Sequence, residues 1–125
     1  MVIRSQTITN LPKRTRFNVK NDSTLKDIID CVVEVADPEK IILFGSRSVG
    51  NQREGSDYDI LVLKQGIRNK RKLAKKIYIA LDVAAPVDII VEGSKDFDKY
   101  KKKPYFVYYE IAKTGRVIYS KGQGA

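Results

Sequence analysis

Apolar residues recur three or four positions apart at Leu25, Ile28, Ile29, Val32, Val33 and Ala36, with Lys26, Asp27, Asp30 and Glu34 between them. That spacing lays one apolar stripe along a helix. Asp22 or Ser23 can cap its start, and Asp37-Pro38 closes it, because proline disfavours helical backbone at the residue before it. The pattern then changes period. Lys40 leads into the unbroken run Ile41–Phe44, which predicts a short buried strand, and Asp57–Leu63 predicts a second that is polar at its start and apolar after. Gly45–Ser56, between them, holds three glycines, three serines and two arginines, the make-up of a loop with room for one helical turn. Gln65-Gly66 ends the second strand. Leu73, Ile77, Ala80, Leu81 and Ala84 predict a helix over about 69–84, with Lys72, Lys75 and Lys76 on its other side. Pro86–Val91 is expected as a third strand and Lys95–Lys103 as charged surface. Pro104 suits the first turn of a helix ending near Gly115, and Val117-Ile118-Tyr119 reads as a last edge strand.

This order predicts one α/β (α+β) domain over 22–120. A basic arm at 1–21, irregular or an edge strand, precedes it, and a loose tail at 121–125 follows. The second and third strands are joined by a helix, which allows them to run parallel as neighbours.

Composition narrows the chemistry. No unbroken apolar run approaches the roughly 20 residues of a membrane span, and the N-terminus lacks the apolar core of a signal peptide. A cytoplasmic protein with no membrane partner is the expectation. There is no histidine, so a Ser-His-Asp triad and imidazole metal ligation are excluded. The single cysteine, Cys31, precludes an internal disulfide and is expected as a buried, inert thiol. Any catalysis must rest on carboxylates, cations, hydroxyls or an oxygen-bound metal. With 24 basic against 15 acidic residues, the net charge of +9 favours polyanionic partners.

Three acidic residues interrupt apolar strands. Asp57 and Asp59 lie two apart and so leave the same face of a strand. Asp88 sits inside Val87–Val91, where an unpaired carboxylate is costly to ionise. If the second and third strands are parallel neighbours, Asp57, Asp59 and Asp88 share one end of the sheet. If the first is antiparallel to the second, its end at Gly45-Ser46 joins them. Three carboxylates raise one another's proton affinity unless a hard cation intervenes, and Mg²⁺ is commonly held by one or two carboxylates plus substrate phosphates. Gly45 allows close backbone approach to a phosphate, Ser46 offers a hydroxyl and an N–H, and Arg47 is placed to clamp a phosphate oxygen. This corner suits a metal-bound triphosphate.

Phe44-Gly45-Ser46, ten residues, Asp57-Tyr58-Asp59-Ile60 and a later Val87-Asp88-Ile89 resemble the signature of the DNA polymerase beta-like nucleotidyltransferase superfamily. The run Gly45-Ser46-Arg47-Ser48-Val49-Gly50 through Ser56-Asp57-Tyr58-Asp59 is most similar to the minimal nucleotidyltransferases of prokaryotes. The resemblance implies a short mixed β-sheet flanked by helices, and transfer of a nucleoside monophosphate, AMP first among the candidates, from an NTP such as ATP to a hydroxyl. Two Mg²⁺ ions, replaceable by Mn²⁺, would be bound by Asp57, Asp59 and Asp88, with Asp88 helping to activate the acceptor. Gly45, Ser46, Arg47 and Ser56 would form the nucleotide-binding set. Many relatives carry a second arginine where this chain has Val49, which implies a different phosphate grip.

Small members of the superfamily are often the antitoxin of a two-gene module whose toxin is a helical HEPN-type protein, and the resemblance implies such a partner. Two alternatives stand beside this one. The chain could neutralise a partner by contact, binding nucleotide without turnover, or it could be a basic RNA-binding domain. Seven basic residues between Lys64 and Lys76 are either a solvated helix face or a guide for RNA. Tyr105, Phe106, Tyr108 and Tyr109 cannot all face inward from one helix, so some are expected to dock a partner or a second copy in a homo-oligomer.

Overall fold

A four-stranded mixed sheet forms the centre of the protein, in the order β3-β2-β1-β4. The computed structural model describes residues 22–45 and 57–122. Along the chain these form α1 (Ser23–Ala36), β1 (Lys40–Phe44), β2 (Tyr58–Leu63), α2 (Lys70–Ala80), β3 (Val87–Glu92), α3 (Ser94–Tyr100), α4 (Val107–Thr114) and β4 (Arg116–Ser120). β1 is antiparallel to β2 and to β4, whereas β2 and β3 run parallel. The parallel crossover through α2 is the one that the spacing of the second and third strands allows, and the mixed sheet is the one that the resemblance implies. The expected arm at 1–21 lies outside the described residues, as does most of the loop after Gly45.

Strand alternation sorts the core onto the two faces. Ile41, Leu43, Tyr58, Ile60, Val62, Ile89 and Val91 pack with Leu25, Ile28 and Val32 of α1 and Ile77 of α2. Ile42, Leu61 and Leu63 pack on the other face with Phe97 of α3 and Ile111 of α4. β2 is covered on both sides, which is why its sequence is continuously apolar after Asp59. At the end of α4 a Cβ on Gly115 would lie 2.8 Å from Ile42 Cγ2 and 2.5 Å from the Ile111 carbonyl, so the helix closes tightly over β1 before β4 begins.

Several expectations need adjusting. α2 stops at Ala80 rather than Ala84, because Leu81 turns to extended backbone at φ −67°, ψ 134°. Beyond it Leu81, Val83 and Ala85 pack on the core while Asp82 and Ala84 face outward, an alternation of period two that overrides the helical spacing. The segment expected only as charged surface contains α3, which forms because Phe97 is buried against the sheet and Asp96 sits in the first turn, where a negative charge is favourable. Pro104 lies in the turn before α4, whose first residue is Val107. Cys31 is partly exposed, not buried, although burial and then the charge of Glu34 raise the thiol's proton affinity. In the segment expected as a tail, Lys121 donates its N–H to the Glu39 carbonyl at 2.9 Å and pairs with Asp37 at 3.0 Å.

Polar contacts tie the far ends of β2 and β3 to the helices. Glu92 is nearly fully buried. It accepts from Lys70 Nζ at 2.5 Å, Tyr108 Oη at 2.8 Å and the Gly93 N–H at 3.0 Å. Burial works against its ionisation, but these donors outweigh it and hold its proton affinity below that of an ordinary glutamate. On edge strand β3, the Ile89 N–H donates to Tyr78 Oη at 2.7 Å.

Candidate active site

The start of β2 and the start of β3 bring the sequence's acidic residues to one end of the sheet. In register, Asp59 lies opposite Asp88 on β3 and opposite Phe44 on β1. Neighbouring strands are about 4.8 Å apart, so this register sets the carboxyl groups of Asp59 and Asp88 side by side. Asp57 immediately precedes β2 and is exposed, as is Asp88, while Asp59 is partly buried between strands. Burial, followed by the charges of Asp88 and Asp57, raises the pKa of Asp59 from 3.8 to about 6. Among the described residues, every charged group that acts appreciably on Asp59 is itself acidic. The site holds concentrated negative charge on a partly desolvated carboxylate, an arrangement that a cation relieves.

Gly45 closes the other side. It follows β1 directly, with φ at +78°, a left-handed backbone that L side chains rarely adopt. A Cβ here would fall inside van der Waals contact with Asp59 Oδ2. The backbone thus approaches the carboxylate as closely as it does only because no side chain intervenes. Of the residues expected at the site, Asp57, Asp59, Asp88 and Gly45 come to one end of the sheet. Ser46, Arg47 and Ser56 lie outside the described residues.

A pair that sequence reasoning missed supports this end from below. Tyr58, between the two aspartates, points to the opposite face and is fully buried. Its hydroxyl donates to Asp22 Oδ1 at 3.1 Å and Oδ2 at 2.9 Å. Asp22, also fully buried, is the N-cap of α1 and accepts the Leu25 N–H at 3.0 Å. The cap was legible as a helix start. Its second role was not, because the partner is 36 residues away.

A divalent ion fits these residues in one specific sense. Among the described residues no three His, Cys, Asp or Glu side chains form a ready-made cage for a metal. A cross-strand carboxyl pair with a third carboxylate nearby is instead a partial, oxygen-only ligand set, of the kind Mg²⁺ completes with water and substrate phosphates.

Comparison with known proteins agrees with this geometry. The family model described as polymerase beta, nucleotidyltransferase, matches residues 26–123. No curated protein matches significantly. A chain from a crystal structure of a toxin–antitoxin with AMP-PNP is similar at TM-score 0.53 and 26% identity, over 78% of this chain and 74% of that one. A Sulfolobus solfataricus chain assigned provisionally as a nucleotidyltransferase matches at TM-score 0.53 and 22% identity, over 82% of this chain and 92% of that one. A chain of a mutant toxin–antitoxin MntA–HpeT structure reaches TM-score 0.50 at 23% identity, over 78% and 74%. With the family model spanning most of its length and the sheet carrying the acidic residues at one end, the chain belongs to the polymerase beta nucleotidyltransferase family.

Proposed function

We propose that this protein is a divalent-metal-dependent nucleotidyltransferase that moves a nucleoside monophosphate, AMP in the first instance, from an NTP to a hydroxyl on a protein partner. The observation that carries the reading is the pairing of Asp59 with Asp88 across β2 and β3, with Asp57 adjacent and, among the described residues, only acidic groups acting on Asp59. In this reading Asp57, Asp59 and Asp88 hold Mg²⁺, or Mn²⁺ in its place, and Gly45 with Ser46, Arg47 and Ser56 receives the triphosphate. When bound, two such ions would neutralise the attacking and leaving oxygens of an in-line phosphoryl displacement. Asp88, on the edge strand and exposed, is the carboxylate best placed to accept a proton from an incoming hydroxyl.

The similarity to a toxin–antitoxin chain crystallised with AMP-PNP supports a role as the antitoxin of such a module, with a HEPN-type toxin as acceptor. The second reading keeps the nucleotide site but neutralises the partner by contact alone. Label transfer from α-labelled ATP with Mg²⁺ or Mn²⁺ separates them, using the chain alone, host lysate and an Asp57→Ala, Asp59→Ala double variant. A labelled band that disappears in the variant supports transfer and identifies the acceptor by mass. Metal-dependent ATP binding without any band favours contact, and absence of both refutes the nucleotide site.

A further inference from the structure

A second surface, at the other end of β3 from the carboxylates, has its own chemistry. Glu92 is four residues beyond Asp88, about 13 Å along the strand, and there it anchors Lys70 of α2 and Tyr108 of α4. Beside this anchor, the turn between α3 and α4 brings together three aromatic rings. Tyr100 and Phe106 have centroids 4.8 Å apart, and Phe106 and Tyr105 are 5.1 Å apart. Adjacent rings are tilted by 44° and 42°, so they do not consume one another's faces by stacking. Tyr105 is 80% exposed and Val107 56% exposed, a high exposure for side chains of this kind.

The rings are set in lysines. Between Lys95 and Phe106 the chain carries five lysines and two aspartates. Asp98 pairs with Lys101 at 3.0 Å and Asp96 lies 3.9 Å from Lys70. Among the described residues Lys95, Lys99, Lys102 and Lys103 have no carboxylate within ion-pair distance, and Lys99 sits 5.3 Å over the Tyr100 ring. Through Lys70 the patch adjoins α2, whose Lys70, Arg71, Lys72, Lys75 and Lys76 add positive charge without an acidic residue in the helix.

We propose that the Tyr100–Phe106–Tyr105 ring cluster and its flanking lysines form a binding platform for single-stranded nucleic acid. A single strand offers both complements at once: phosphates for the unpaired lysines and unstacked base faces for an exposed, tilted ring. An acidic protein surface answers the charge, whereas a single strand adds a base face that can stack on Tyr105, and a duplex keeps its base faces internal. The platform stands apart from Asp57, Asp59 and Asp88, so it requires neither metal nor NTP.

The test is fluorescence anisotropy with a labelled single-stranded RNA of about 12 nucleotides and the full chain, in EDTA and without NTP. Failure here therefore leaves the transferase reading untouched. Tyr105→Ala is expected to weaken binding about 5- to 150-fold at fixed salt, the stacking of one base, without changing the salt dependence. Tyr105→Phe should keep the affinity. Lys102→Ala with Lys103→Ala should reduce the log–log salt slope by about 1.4, or roughly 0.7 for each phosphate no longer neutralised. Tyr105 and Lys102 are exposed and Lys103 partly so, none of them in the buried core, and circular dichroism of each variant checks that the fold is kept. Tyr105→Ala binding within twofold of the parent, or a duplex binding as tightly as the single strand, would show bare charge attraction and overturn the platform. Displacement of the RNA by polyglutamate of equal charge would instead assign the surface to an acidic protein.

Discussion

Removing one oxygen atom, in Tyr58→Phe, tests whether the carboxylate-bearing strand is locked to α1. The phenyl ring stays in place, so no cavity opens. What disappears is a hydroxyl donating to both oxygens of Asp22, at 3.1 and 2.9 Å, inside a site where both residues are fully buried. A hydrogen bond to a charged acceptor contributes about 1.5–3 kcal/mol. Unfolding entropy of about 2.1 cal/mol/K per residue gives about 0.26 kcal/mol/K for a 125-residue chain. The melting temperature should therefore fall by about 6–11 °C. Differential scanning calorimetry at pH 7.5 measures it, with urea titrations of Tyr58→Phe, Asp22→Asn and the double variant forming a cycle. The two single effects should overlap, because Tyr58→Phe removes the shared donor and Asp22→Asn removes the charge and one oxygen of its acceptor. A melting point within 2 °C of the parent, or full additivity in the cycle, would refute the lock. If the lock also orients the flanking aspartates, Tyr58→Phe should lose label transfer at temperatures well below its own melting point.

Other outcomes follow from the same geometry. Gly45→Ala introduces a Cβ that collides with Asp59 Oδ2 at a positive φ; about 1–2 kcal/mol of stability and metal-dependent ATP binding should be lost together, as read by thermal shift with and without Mg²⁺. Because the pKa of Asp59 is raised from 3.8 to about 6, the protonated form is favoured by folding. Metal-free stability should then decline as pH rises from about 4 to about 6 and stay level above, by no more than about 3 kcal/mol and less after solvent screening. Asp59→Asn should flatten that segment of a chemical-denaturation profile. Glu92 has the opposite sign: its proton affinity is lowered, so its contribution is present above the ordinary glutamate pKa and is lost as pH falls through the lowered value. Glu92→Gln should cost about 1–3 kcal/mol at pH 7 and remove that acid-side loss.

Much of this protein was legible in one dimension. Local periodicity decided α1, because Leu25, Ile28, Ile29 and Val32 need only one another's spacing to define a face. The Asp22 cap and the Asp37-Pro38 stop are local too, and α1 begins and ends where they place it. The apolar runs at 41–44 and 60–63 marked buried strands, and the helix between the second and third strands allowed those two to pair in parallel. The carboxylates stood out for a related reason. Polar residues are costly inside apolar strands, so their presence at Asp57, Asp59 and Asp88 called for chemistry.

What the chain alone left open depended on contacts distant in sequence. α3 forms around Phe97, which is anchored only once the sheet exists to receive it. α2 ends early because Leu81, Val83 and Ala85 reach more core from extended backbone than from a helix. Asp59 acquires its raised pKa only when the folded sheet partly buries it and register sets it beside Asp88, 29 residues later. Asp22 and Tyr58 read separately as a cap and a strand aromatic, and only packing across 36 residues joins them. Sequence determined α1, the strands and which carboxylates are out of place, because those choices are local preferences summed over a few neighbours. The tertiary structure decided which charges face one another, because burial and Coulomb coupling depend on distance in space and not along the chain.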